Sequence, residues 1–420
     1  MVGMSADESR AITFRPVDLA GPEFDELFGL VRTVFKADRP SSPERTARRR
    51  LVHPDARPSA AFDGDRMVAT FRSWDWAMTV PGGAQVEVDA ISGVTVSPTH
   101  RRQGLMTELV SADLRAAVER GVAAASLIAA QATIYGRFGF GPSTWTTNWE
   151  VDLASATLRE SITPTGRVDF VEGSVLAALA PTLVRAQGSA GEPHRNPLMW
   201  EDALGVVPDP DVEPKQFRHL LFRDDDGEPQ GYLSYSWADD WDRWTPKGRL
   251  TIESMACATP TAYAELFRFI LSIDNMATLT AKRRPVDEVL PWLLTDHRAL
   301  SVNALDDFLW TRLLDVSAAL SARTYESPGS VIFEVRDPLG HVDGTYLLEA
   351  DDQGTGQCTP TVSAPDLVLD VDVLSSLWLG AGDLRGAMTA GRAHENQSGV
   401  AHRFAAMLRT TRAPWTDVWF

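Results

Sequence analysis

The stretch SGVTVSPTHRRQGLM, residues 92–106, sets a strand-like run through Val96 against Pro98, two adjacent cations, Arg101 and Arg102, and then Gly104 at the head of an amphipathic run. Such a strand–loop–helix junction leaves the first N–H groups of the helix without backbone partners, and together with the helix dipole they make an anion site. Gly104 lets the backbone come close to a ligand, and the two arginines add charge-assisted donors. The chemistry predicted is a grip on a pyrophosphate. The junction is neither GxxxxGK[ST] nor GxGxxG, which argues against a P-loop and against a dinucleotide fingerprint. Downstream, TIYGRFGFGPST places the phenol of Tyr135 among glycines that allow a substrate to approach.

The elements that must hold these residues can be read from period and punctuation. ITFRP at 12–16 reads as a strand, and GPEFDELFGLVRTVF spaces Phe24, Leu27, Val31 and Val34 at helical intervals. SAAFDGDRMVATFRSWDWAMTV reads as two strands around the turn pair Asp63-Gly64, and VEVDAISGVTV as a third strand running into the loop. Leu105, Met106, Leu109, Val110, Leu114, Ala117 and Val118 form one helical face that stops at Gly121. VAAASLIAA is apolar throughout and suits a buried central strand. The order is strand, helix, three antiparallel strands, helix, strand: a mixed α/β layer.

The middle of the chain repeats part of this order. SMACATPT at 254–261 aligns with SGVTVSPT at 92–99, each ending a strand with Pro-Thr before a helix. The second copy then reads Ala262, Tyr263, Ala264, Glu265 where the first reads His100, Arg101, Arg102, Gln103, so it lacks the cations and the glycine. Two related folds are expected, of which the first keeps the loop chemistry. A third region, from about residue 299, reads as strands followed by helices at VDVLSSLWLGAG and SGVAHRFAAMLRT. The chain ends RAPWTDVWF, an aromatic terminus expected to pack rather than fray.

Bulk properties narrow the classes. At about 150 residues per domain, 420 residues suggest three domains. A net charge of -17 argues against nucleic acid or an anionic membrane surface as partner. Cys257 and Cys358, far apart and outside any CxxC, point to a reducing compartment without a structural metal. The eight histidines form no HxxxH or HxH pair, so no metal is expected. The acidic, polar start of the chain lacks the apolar core of a signal peptide, which predicts a cytoplasmic protein.

VTVSPTHRRQGLM with IYGRFGFGP resembles the acetyl-CoA site of the GCN5-related N-acetyltransferases (GNATs). RNPLMW at 195–200, DNMATL, PWLLTDHRAL, CTPT and LSSLWLGA extend the resemblance, over nearly the full length, to the Eis-type branch (enhanced intracellular survival). The general loop is [QR]xxGx[GA]. Arg101 and Gly104 match it, and Met106 stands where a small residue is usual, a position at which Eis-type proteins also carry a bulky residue. The resemblance implies an α/β (α+β) chain of two tandem GNAT folds plus a sterol-carrier-like domain. The divisions expected are a catalytic domain over residues 1–150, a degenerate copy over 151–298 and a C-terminal domain over 299–420. It implies acetyl-CoA as co-substrate, with Val94, Thr95 and Val96 on its pantetheine arm and Arg101, Arg102, Gln103, Gly104, Leu105 and Met106 on its pyrophosphate. It implies Tyr135 as general acid and the carboxylate of Phe420 as base. Acceptors would be primary amines of the aminoglycoside, polyamine or lysine type, in an acidic, aromatic pocket to which Phe35, Asp38 and Trp419 contribute. Trp419 stands where several relatives carry an acid. The family implies a homohexamer. A different class, a non-catalytic acyl-CoA or lipid carrier with two degenerate GNAT folds, is opposed by the intact Arg101-Arg102-Gly104 loop and Tyr135.

Overall fold

A computed structural model describes residues 12–36, 41–160, 163–213 and 215–420. Two seven-stranded sheets and one five-stranded sheet organise them. The first part runs β1 (Ile12–Pro16), α1 (Pro22–Val34), α2 (Pro43–Val52), β2 (Arg57–Asp63), β3 (Arg66–Thr79), β4 (Gln85–Val96), α3 (Leu105–Arg120), β5 (Ala124–Ile128), α4 (Ala132–Tyr135), β6 (Gly141–Pro142) and β7 (Trp145–Asp152). The β2–β3 hairpin turns at Asp63-Gly64, with Gly64 at φ 60, the left-handed geometry that favours glycine. Helix α2 is absent from the sequence reading. ERTARRRLV lacks an apolar stripe, and among its residues only Thr46 is buried.

β4 does the most to shape the site. It pairs antiparallel with β3 and parallel with β5, but its pairing with β5 covers only Val88–Ile91 against Ala124–Leu127. Past Ile91 the two strands part. At that point Gly93 and Val94 oppose the single residue Phe71 in a β-bulge, with Gly93 at φ 62. A bulge bends its strand and raises the local twist. Here it turns the free edge of β4 into an open cleft in the middle of the sheet.

The middle sheet holds the second copy. Strand Gly248–Cys257 runs parallel to Met276–Pro285, with helix Pro260–Leu271 between them in sequence, the same arrangement as β4, α3 and β5. The strands do not respect the expected divisions. β7, read with the first segment, lies in the middle sheet between Leu300–Asp307 and Met276–Pro285. Of the strands read with the third segment, Leu300–Asp307 caps the middle sheet, and Leu309–Leu313 enters the first sheet between β5 and β6. The reason is hydrogen bonding: each fills a strand edge that would otherwise present unpaired N–H and C=O groups.

The third sheet carries strands Gly329–Arg336, Gly344–Ala350, Gly356–Pro360, Leu367–Asp370 and Ala393–Glu395, with helices Val371–Trp378 and Val400–Leu408. It does not stand apart. One apolar cluster joins Trp74, Trp76 and Met78 of β3 to Phe333, Trp378 and Phe404 of the third unit and to Val418 of the tail. Burying each such side chain stabilises by about 1.5–3 kcal/mol. The fully buried ion pair of Arg312 and Asp337, 2.7 Å, pins the first sheet to the third. Among the described residues no helix is long and apolar enough to cross a membrane.

Candidate active site

Two cavities flank the parted strands. The first, of about 760 Å³, lies along the open edge of β4 and the start of α3. Its walls include Val94, Thr95, Val96, Arg101, Arg102, Gln103, Gly104, Leu105 and Met106, all nine residues that the resemblance tied to the acyl carrier. Gly104 caps α3 at φ 79 and no side chain caps the helix, so its first amides stay open. An added Cβ on Gly104 would meet nothing within 4 Å, so the loop leaves room for a ligand against the backbone. Arg102 holds a left-handed φ of 63, a strained conformation for a side chain-bearing residue. Ser97, Thr99, His100 and Asp63 form a hydrogen-bonded chain that fixes the loop to the β2–β3 turn. Exposed cations, free helix amides and a close backbone approach fit a diphosphate.

The second copy closes the same position with its own side chain. Thr259 Oγ1 accepts the Ala262 N–H at 3.1 Å, and Pro260 removes another donor. The helix end that is open in the first copy is satisfied in the second.

The second cavity, of about 870 Å³, lies under α1 and α2. Its apolar wall includes Phe28, Val31, Phe35, Ile91, Trp419 and Phe420. The expected acidic pocket is corrected here. Five arginines, Arg32, Arg45, Arg48, Arg49 and Arg72, line it against Glu44, Asp202 and Asp209. Asp38 lies outside the described residues. Most of these cations come from α2, whose RTARR run puts Arg45, Arg48 and Arg49 on one helical face. That spacing is the signal by which the missed helix could have been found. The cavity also brings in His53, whose ring lies tilted against that of Trp74, 4.0 Å between centroids. Burial, helped by the nearby charge of Arg72, pushes its pKa down to about 3, so the imidazole is neutral at neutral pH.

Phe35, Val94, Ala130 and Tyr135 line both cavities. Tyr135 is 8 % exposed, and burial alone pushes its phenol up to about 12, so it keeps its proton across the physiological range.

The C-terminal tail reaches this point along a built track. Trp415 N–H donates to Ala190 O at 2.8 Å and its indole to Arg283 O at 2.7 Å. Thr416 Oγ1 donates to Glu192, and Arg195 bridges Glu192 and Asp417. Burial opposes the charge on Arg195, but Glu192 and Asp417 outweigh it and hold its pKa above the ordinary value. Arg195, the first residue of RNPLMW, thus works as the clamp of the tail. Beyond it, Trp419 packs 5.9 Å from Phe308, and the Phe420 ring lies 4.5 Å from Trp76 and 5.8 Å from Trp74. Among the described residues no group of three His, Cys, Asp or Glu side chains is arranged to hold a metal ion.

An open helix start beside a parted β4–β5 pair, repeated once in closed form and followed by a third α+β unit, defines a tandem acetyltransferase fold. The acetyltransferase (GNAT) domain family matches residues 17–143 and, in a second form, residues 191–313; the sterol carrier protein domain family matches residues 316–417. The chain is similar to an uncharacterized N-acetyltransferase of Streptomyces griseus, 39% identical over 94% of this chain and 96% of the relative. It is similar to N-acetyltransferase Eis of Mycobacterium tuberculosis, 30% identical over 93% of this chain and 96% of the relative. The crystal structure of Eis1 from Mycobacterium abscessus superposes with a TM-score of 0.84 at 27% identity, covering 98% of this chain and all of that one. The chain belongs to the Eis-type GCN5-related N-acetyltransferases, and is an acetyltransferase of two GNAT domains and a C-terminal sterol-carrier-like domain.

Proposed function

We propose that the chain transfers the acetyl group of acetyl-CoA directly to a primary amine in a ternary complex, with Tyr135 as general acid and the Phe420 carboxylate as base. The single observation that carries this reading is the meeting of the carrier cavity and the arginine-lined cavity at Tyr135. Arg101, Arg102 and the amides from Gln103 to Met106 hold the pyrophosphate. The free edge of β4 at Val94–Val96 receives the pantetheine arm as an added strand would, and this aims the thioester at Tyr135. The acceptor enters from the arginine-lined side, where Phe35 and Trp419 contact it.

The amine nitrogen attacks the thioester carbonyl, the N–C bond forms and the C–S bond breaks. The Phe420 α-carboxylate, ionised at neutral pH, takes the proton lost by the amine, directly or through a water. The departing thiolate takes the phenol proton of Tyr135. With its pKa near 12 the phenol is a weaker acid than a thiol. Tyr135 therefore acts by hydrogen-bonding the sulfur as charge develops, and its proton moves as the C–S bond breaks.

The reading extends to a cytoplasmic homohexamer, which sedimentation at several concentrations tests. Aminoglycoside, polyamine and lysine-type amines form the first acceptor panel. Calorimetric titration with acetyl-CoA followed by thiol release over that panel tests the reaction. Binding with amine-dependent thiol release supports it, and the absence of both defeats it.

A further inference from the structure

The arginine-lined cavity holds two cations that make no ion pair with any described residue. Arg45 pairs with Asp209 and Asp211, and Arg48 with Glu201 and Asp202. Arg49 and Arg72 differ. Among the described residues neither has a carboxylate at ion-pair distance; Arg49 reaches only Ser41 Oγ and Arg72 only Ser92 Oγ, both at 3.4 Å. Arg72 is 7 % exposed and its buried Nε has no hydrogen-bond partner. The two guanidinium groups lie near one aromatic ring, with Cζ of Arg49 4.1 Å and Cζ of Arg72 5.3 Å from the centre of Phe28, and Arg72 also lies 4.8 Å from the centre of Trp74. Burial and mutual repulsion push Arg72 down to about 9, and burial with the nearby Arg45 and Arg32 pushes Arg49 down to about 10.

Holding uncompensated charge out of water is costly. This chain carries 57 acidic residues against 40 basic ones, yet none of the described acids makes an ion pair with either arginine, and Asp209 and Asp211 only partly offset the shift on Arg49. Phe420 lines the cavity, and its terminal carboxylate makes no ion pair with either arginine. The cavity therefore presents two cations without ion-pair partners beside Phe28 and, on the acetyl-transfer reading, the Phe420 carboxylate as base. A zwitterion, amine at one end and oxyanion at the other, is complementary to that arrangement.

We propose that the acceptor amine carries an oxyanion, a carboxylate or a phosphate, that seats between Arg49 and Arg72 against Phe28. The inference rests on the acetyl-transfer reading above and adds the substrate class. It favours amino acids and amino phosphates over polycationic amines, which would meet like charge in that wall. Arg suits the role because its planar fork binds carboxylate or phosphate with two parallel hydrogen bonds.

The test compares matched acceptors for kcat/KM with the full-length enzyme and acetyl-CoA: ε-aminocaproate, hexylamine and hexamethylenediamine; phenylalanine and phenethylamine; O-phosphoethanolamine and ethylamine. The phosphate and carboxylate arms separate the two sources of oxyanion. The expected result is a preference of about tenfold or more for an anionic member over its neutral partner, the size of a hydrogen bond to a charged group. Arg72→Gln and Arg49→Gln should each shrink that ratio toward unity, chiefly by raising KM for the anionic acceptor. Thermal unfolding and acetyl-CoA affinity of the variants report their integrity; should R72Q not fold, R49Q, on the more exposed α2, carries the comparison. Equal or better use of the neutral or dicationic members by the unaltered enzyme overturns the inference and leaves acetyl transfer standing, as does an unchanged ratio in a folded variant. No transfer to any acceptor overturns both.

Discussion

The ring of Phe420 stands edge-on to that of Trp76, with 4.5 Å between centroids and 70° between planes. The last residue of the chain, which bears the terminal carboxylate, is thereby fixed to β3 of the first sheet and lines the cavity that ends at Tyr135. A peptide bond in place of that carboxylate removes both the charge and the room it occupies. Extending the chain by a short affinity tag after Phe420 is expected to abolish acetyl transfer while acetyl-CoA affinity, read by calorimetry, stays within a factor of about three. Full turnover of the extended enzyme removes the carboxylate from the mechanism.

The tail is held in place largely by Arg195, whose guanidinium joins Glu192 and Asp417 in a buried network. Removing one partner of such a network leaves uncompensated charge, a loss of about 3–5 kcal/mol. Arg195→Ala is expected to lower stability by that order in chemical denaturation. It should also lower kcat more than it weakens acetyl-CoA binding, because the carrier cavity lies on the other side of Tyr135.

Tyr135→Phe removes one hydroxyl and leaves the ring against Phe140. Loss of a general acid typically costs about 100- to 10,000-fold in rate, and kcat is expected to fall within that range with little change in acetyl-CoA affinity. Because burial raises the phenol to about 12, the unaltered enzyme should show no alkaline fall in kcat from Tyr135 near neutral pH. An alkaline limb below pH 9 that vanishes in Y135F contradicts this placement.

His53 gives a pH test of stability. Its folded pKa, about 3, lies below the unfolded value of about 6.5. The unfolded chain therefore binds the proton that the folded chain excludes, and stability is lost as pH falls below about 6.5. Each pH unit below that point removes about 1.4 kcal/mol through this one group. Denaturation midpoints measured at several pH values should show a shallower acid loss for His53→Gln than for the unaltered protein. Parallel slopes mean the imidazole is protonated in the fold.

The loop chemistry was legible because it is local. Gly104, the two arginines and the helix start lie within a few residues, and period-two and helical patterns fixed the flanking elements. The closed second copy was legible in outline from missing cations, but the Thr259 cap that occupies the helix end needs coordinates to be seen. Helix α2 was invisible because the face it turns to the cavity is arginine rather than apolar, and its partners, Glu201, Asp202, Asp209 and Asp211, are distant in sequence. The arginine lining of the second cavity is hidden from the sequence for the same reason: its charge is set by which helix lies over it. His53 looked like any other scattered histidine until folding set its ring against that of Trp74. The exchange of strands between sheets was equally hidden. Leu300–Asp307 has a mostly exposed pattern, and its pairing with β7 is a long-range contact that no local period encodes.

The most direct measurement of the central claim is a crystal structure of the enzyme with coenzyme A and an amine acceptor bound. The account predicts the diphosphate on the amides of Gly104 to Met106 beside Arg101 and Arg102, the sulfur within about 3.5 Å of the Tyr135 hydroxyl, and the acceptor nitrogen facing the Phe420 carboxylate. A coenzyme lodged away from β4, or a sulfur turned from Tyr135 with the acceptor absent from the arginine-lined cavity, contradicts it.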